Sequence, residues 1–322
     1  MKDIPPIVKD FLNYMETIKG KSQNTIKEYY YDLRLFFRFM KIHKGLLEEE
    51  CEFDKIDISD VDINLIKQIT LSDLYSYMSF LSRERDNSSS SRARKVASIR
   101  SFFKYITNKA KLLDYNPANE LESPKILKKL PRYLNIEESK RLLEVIDGEN
   151  KERDYAIITL FLNCGLRLSE LVNINMNKIK NNVLTVVGKG GKERAIHLNK
   201  ACVGAIEAYL KVRPSDGVKD KNALFLSKRK QRISTKTVQH IVKKYLKAAG
   251  LDTERYSVHK LRHTAATLMY RHGNVDVRVL QEILGHESVA TTEIYTHVNS
   301  ERLKTALESN PLSEITPENE ES

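Results

Sequence analysis

Between Ser257 and His297 the chain carries His259, Arg262, His286 and Tyr295. An imidazole moves protons near neutral pH, a guanidinium holds an anionic oxygen through paired donors, and a phenol becomes a nucleophile once its proton is drawn off. The stretch SVHKLRHTAATLMYRHGNVDVRVLQEILGHESVATTEIYTH is punctuated as three short helices. Ser257 is expected to cap the first, which stops at Gly273. Asn274 would cap the second, which stops at Gly285, and Ser288 the third, with both stop glycines in the left-handed conformation. His259 and Arg262 then share one face of a first turn whose free N–H groups and dipole favour an anion. Taken singly, each residue has a plainer reading. His259 alone is a helix-end histidine, Tyr295 is one of 15 tyrosines, and His259 with His263 at i, i+4 is half of a zinc site. The zinc pattern of metalloproteases needs Glu after the first His, where this chain has Lys260.

Two more chemical groups lie upstream. The run DYAIITLFLNCGLRLSELVNI reads as a buried helix, a break at Gly165 and a new helix opening at Arg167. The β-prone runs VLTVV and ERAIHL flank Gly188-Lys189-Gly190-Gly191-Lys192, which is a hairpin by its glycines. The phosphate-loop pattern G-x-x-x-x-G-K-[ST] is not satisfied, and no helix follows directly.

In order, GLR-x-SEL, VGKG-x-KER, H-x-x-R, LGH and a tyrosine nine residues beyond that histidine closely resemble the signature of the tyrosine recombinases, the phage integrase family, and among them the Xer-like site-specific recombinases. The resemblance covers the C-terminal part strongly and the N-terminal part loosely. It implies that Arg167, Lys189, His259, Arg262, His286 and Tyr295 are catalytic. A phosphodiester repels nucleophiles until its charge is neutralised. Arg167 and Arg262 would therefore grip the non-bridging oxygens, with His286 as a third donor. Tyr295, with a phenol pKa of ~10, would attack with help from His259 as base, and Lys189 would protonate the departing 5′ oxygen. The 3′-phosphotyrosyl product stores the bond energy, so neither metal, ATP nor any other cofactor is expected.

The implied fold is mainly α with a small β-hairpin: an N-terminal helical core-binding bundle and a C-terminal mixed α/β catalytic domain of the DNA breaking-rejoining type. A chain of 322 residues with 41% hydrophobic content can bury two cores. Residues 1–112 read as the bundle. Its helices run from about Ile4 to Ile18, onward from Ser22, from Leu71 to Arg83, and after the turn at Asp86 to Ser91. Residues 113–132, broken by Pro117, Pro124 and Pro131, read as a basic linker, 133–299 as the catalytic domain, and 300–322 as a helix that docks on a neighbouring protomer followed by an acidic tail.

The surplus of 54 Lys and Arg over 43 Asp and Glu leaves a charge of +11 and suits a polyanionic partner, though a ribosomal factor or a solubility device has the same balance. Candidates for the DNA backbone are Arg92, Arg94 and Lys95 on the fourth helix, Lys128 and Lys129 in the linker, and Lys228, Arg229, Lys230, Arg232 and Lys236 ahead of and within a later helix. The acidic segment Glu48 to Asp62 is expected to avoid DNA as a loop or protein contact. Double-stranded DNA with paired inverted half-sites, and a homotetramer or a heterotetramer with a second recombinase, follow from the resemblance. An N-terminus that starts at the bundle favours chromosome dimer resolution over a mobile-element integrase or excisionase. A type IB topoisomerase and a non-catalytic DNA-binding protein are the other readings. With no apolar run of membrane length and no signal peptide, a cytoplasmic protein without membrane partners is expected. Cys51, Cys164 and Cys202 are too scattered for a disulfide framework or a metal knuckle.

Overall fold

The computed structural model describes residues 4–47, 51–126, 132–188, 191–273 and 275–285. The chain divides into two compact units, residues 1–128 and 129–322. Among the described residues no helix is long and apolar enough to cross a membrane.

The first unit is helical: α1 (Pro6–Thr17), α2 (Gln23–His43), α3 (Ile63–Lys67), α4 (Leu71–Arg83) and α5 (Ser89–Asn108). Local chemistry starts each long helix. Ser22 and Ser88 accept the N–H three residues on, and Thr70 with Asp73 forms a reciprocal capping box. The apolar faces meet in an aromatic core, in which Phe11 and Phe37 pack edge-on against Phe102 and Phe36 against Tyr77 and Phe103.

One expectation is refined here and one changes. Of the acidic segment, the described residues 51–62 are part of the bundle. Ile56, Ile58 and Val61 are buried. Arg38 Nε donates to the Ile56 carbonyl at 3.0 Å, and Lys41 Nζ donates to Asp60 at 2.7 Å. Apolar side chains between the acids, which the charge run masked, anchor it. Lys95, expected on a DNA-facing surface, is buried instead. Its Nζ donates at 3.0 Å to Asp32, whose carboxylate also accepts from Arg94 at 2.6 Å and from Ser98 Oγ at 2.7 Å. A carboxylate 1% exposed requires this much compensation.

The second unit is built on α7 (Lys151–Cys164), a helix apolar on nearly every side and covered by α9 (Lys200–Val212) and α11 (Val258–His272). Around it stand α6 (Ile136–Glu144), α8 (Leu168–Val172), α10 (Thr235–Ala248) and α12 (Val277–Leu284). A three-stranded antiparallel sheet, β1 (Ile179–Lys180), β2 (Val183–Val187) and β3 (Glu193–His197), places Leu184 opposite Ile196 and Val186 opposite Arg194. Cys164 and Cys202 lie buried with their sulfurs 3.6 Å apart, while Cys51 is exposed.

The expected punctuation of α11 and α12 is partly revised. Ser257 occupies the N-cap position of α11, but its side chain caps nothing. Gly273 ends α11 at φ −87°, outside the left-handed region. Asp276, not Asn274, caps α12, because its carboxylate reaches the Arg278 N–H at 2.7 Å. Asn274 and Ser288 lie outside the described residues. Gly285 does turn left-handed, at φ +63°.

Candidate active site

Gly165 ends α7 in the left-handed conformation at φ +57°, so the chain reverses and delivers Arg167 to the N-cap of α8. One turn on, Glu170 folds back over it. The Glu170 side chain is 1% exposed and lies among three arginines drawn from separate elements. Arg167 Nη1 donates to Glu170 Oε1 at 2.7 Å, and Arg194 donates to both oxygens, at 2.6 and 2.9 Å. Arg262 Nη1 stands 3.9 Å from Glu170 Oε2. Burial pushes the Glu170 carboxyl up, but the bonds from Arg194 and Arg167 outweigh it and hold the group down at about 2.

The same arginines hold the end of α12. Arg194 Nε donates to the Ile283 carbonyl at 3.1 Å, Arg262 Nη2 to Leu284 at 2.6 Å and Arg167 Nη2 to Gly285 at 2.6 Å. Helix-end carbonyls lack partners within the helix and carry its negative pole, so three cations satisfy both needs. Arg262, 3% exposed, also donates to the Gly165 carbonyl at 2.5 Å, which ties the first turn of α11 to the turn that positions Arg167.

His259 projects from the first turn of α11 at the exposed rim. The atoms packed round its ring, and after them the charges of Arg262, Lys260 and Arg167, hold its imidazole below the ordinary histidine value. Its ring meets that of His263 edge to face, 4.7 Å between centres. Among the described residues no group of three or more His, Cys, Asp or Glu side chains is placed to hold a metal ion. A cavity of about 780 Å3 opens here, lined by Arg167, Ser257, His259 and Arg262 on one side and by Gln239 and Lys243 of α10 on the other.

Of the six residues singled out in the sequence, the structure thus gathers Arg167, His259 and Arg262 on one cavity, with Arg167 and Arg262 also at one buried carboxylate. Lys189, His286 and Tyr295 lie outside the described residues, as do Lys128 and Lys129. Gly188, the residue before Lys189, sits close enough that a Cβ there would be 3.9 Å from Glu170 Oε1. Arg194, Gln239 and Lys243 were not singled out. For Arg194 the signal is strand alternation, which puts it on the same face as the buried Ile196. For Gln239 and Lys243 it is the polar stripe of α10 that continues from Lys236.

The remaining cationic candidates differ among themselves. Arg92 is turned onto Ser82 Oγ and the Asn87 carbonyl, and Arg94 bridges Asp32 and Glu28. Arg232 is a structural tie rather than a surface cation: it donates to Asp220, to the Val172 and Ile174 carbonyls and to Asn175 Oδ1. Lys230 donates to the Asp216 carbonyl, and Lys228 pairs loosely with Glu149 at 3.4 Å. Arg229 and Lys236 are exposed.

Comparison with known proteins places residues 132–302 in the phage integrase family and residues 8–61 in its N-terminal SAM-like domain. The chain is 62% identical over 310 residues to tyrosine recombinase XerC of Caldanaerobacter subterraneus subsp. tengcongensis, covering 96% of this chain and 88% of that one. It is 35% identical to tyrosine recombinase XerD of Vibrio vulnificus, covering 92% of each. In fold it is similar to the XerH site-specific recombinase bound to palindromic difH substrate, with a TM-score of 0.67, 23% identity and 94% of each chain covered. It is also similar to the Tn1549 transposon integrase, with a TM-score of 0.71, 18% identity and coverage of 94% and 99%.

Proposed function

The chain belongs to the phage integrase family as a Xer-like tyrosine recombinase, an enzyme of site-specific DNA recombination, and we propose that it cleaves each strand through Tyr295 to leave a 3′-phosphotyrosyl bond. The observation that carries this reading is the convergence of Arg167 and Arg262 on one cavity with His259 at its rim. A guanidinium carries five donors in a fixed fork. With a third of its side chain exposed at the cavity, Arg167 combines bonds to protein with room for an incoming phosphate.

A base must be unprotonated at the working pH, and the depressed His259 imidazole suits it to draw the Tyr295 proton. Arg167 and Arg262 neutralise the non-bridging oxygens, His286 adds a donor, and Lys189 gives its proton to the 5′ oxygen. The arginines and the lysine supply the positive charge that a metal supplies in other phosphoryl-transfer sites. Duplex DNA would lie along α10, whose Lys236, Gln239 and Lys243 form a polar face continuous with the cavity. Four protomers on two sites, each made of paired inverted half-sites, would resolve chromosome dimers in the cytoplasm. Relatives named both XerC and XerD support that role, with a second recombinase as the alternative partner.

The test is Tyr295→Phe, which removes only the hydroxyl. The variant is expected to bind DNA as the parent does and to form no covalent adduct. A protein–DNA band that survives denaturation in this variant would remove Tyr295 as the nucleophile.

A further inference from the structure

Arg194 is a cation on the wrong face of its strand. It shares that face with Ile196, lies opposite Val186, and both of these are buried. Its side chain is 14% exposed, and a charge so placed is unfavourable unless its donors are satisfied. They are satisfied by two targets. The guanidinium edge meets the Glu170 carboxylate fork to fork, and Nε holds the Ile283 carbonyl.

Both targets lead to reacting groups. Glu170 spends its other bonds on Arg167, accepting from its backbone N–H at 2.8 Å and from Nη1 at 2.7 Å. Ile283 opens the three-carbonyl end of α12 whose last member, Gly285, is held by Arg167 and adjoins His286 in the sequence. Gly285 serves this contact as well as its own turn, since a Cβ there would lie 3.1 Å from both Cδ and Nη1 of Arg194. In the sequence Lys189 falls between β2 and the strand that bears Arg194.

We propose that Arg194 is a positioning residue for strand cleavage: it clamps Glu170, through which it orients the Arg167 guanidinium, and it fixes the last turn of α12. Arg194 itself touches no DNA. The inference rests on the reading that Arg167 binds the scissile phosphate, and it separates two properties that a plain core ion pair would leave linked. Losing the clamp slows cleavage without weakening DNA binding, because the binding surface of α10 lies elsewhere.

The experiment uses the full chain and a nicked duplex carrying the site that footprinting of the parent defines. Covalent-complex formation is measured in a single turnover at saturating DNA, alongside DNA Kd and the thermal midpoint, for Arg194→Ala, Arg194→Lys, Glu170→Gln and the Arg194→Lys/Glu170→Gln pair. Arg194→Lys keeps the charge and loses the fork, so its rate should fall by about tenfold to a hundredfold while Kd stays within about threefold of the parent. Because both residues act through Arg167, the double variant should be no slower than the slower single, within about threefold. A folded Arg194→Lys that cleaves at the parent rate, a loss confined to Kd, or single losses that multiply in the double variant would each overturn the proposal. Should Arg194→Ala fail to fold, Arg194→Lys decides. A parent chain that forms no adduct would instead refute the proposed cleavage through Tyr295, so the two failures are distinguishable.

Discussion

Arg167 reaches Glu170 from two directions: its backbone N–H donates to Oε2 at 2.8 Å and its guanidinium to Oε1 at 2.7 Å. The first bond starts α8 and the second aims the side chain, so the same carboxylate begins a helix and orients the Arg167 guanidinium. On the proposed role of Arg167, stability and activity are coupled at Glu170.

That coupling sets a pH dependence. The carboxyl ordinarily titrates at 4.5 and is held at about 2 in the fold. A group depressed in this way contributes stability above its unfolded value and loses it as pH falls through the folded value. Glu170→Gln should be less stable than the parent by about 3 kcal/mol at pH 7 in urea unfolding. The gap should begin to close below pH 4.5 and continue closing toward about 2. A difference that stays constant across that window would mean that the charge of Glu170 contributes nothing to the fold.

Lys95 and Lys236 look alike in sequence and should behave in opposite ways. Lys95 is buried against Asp32, whereas Lys236 is exposed on the first turn of α10. A cation that neutralises a phosphate releases a counterion from the duplex, so Lys236→Ala should lower the slope of log Kd against log salt by roughly one and leave stability unchanged. Lys95→Ala should leave the slope alone and cost about 1–3 kcal/mol in unfolding, since Asp32 keeps Arg94 but loses one partner. Salt titrations and urea melts of the two variants decide it. A lowered slope for Lys95→Ala would return that residue to the DNA surface.

The contrast shows what the sequence could and could not carry. Helix α4 runs from Leu71 to Arg83 as the apolar spacing indicates, and the hairpin glycines separate β2 from β3, because both signals are local. Whether Lys95 faces solvent depends on Asp32, 63 residues away, and periodicity carries no information about such a partner. Cap choice failed for a smaller reason: Asn274 and Asp276 are both good caps two residues apart, and only the backbone path decides between them. Arg167, His259 and Arg262 were legible as a set because their short motifs, in order, resemble the recombinase signature. Arg194 was not, since its meaning lies in a contact between β3, α8 and α12.

The roles of Lys189 and Arg167 can be separated by the substrate. If the 5′ bridging oxygen is replaced by sulfur, the departing group is a thiol with a pKa of ~8.5, which leaves as an anion without a proton donor. Lys189→Ala should then be badly impaired on the oxygen substrate and largely rescued on the sulfur one. Arg167→Ala should be rescued far less, because its proposed work is on the non-bridging oxygens, which the sulfur leaves in place. Single-turnover cleavage of both substrates by both variants is the measurement. Equal rescue of the two, or of neither, would show that Lys189 is not the acid. Lys192, on the same hairpin, and His259, at the cavity rim, would then be the groups to substitute next.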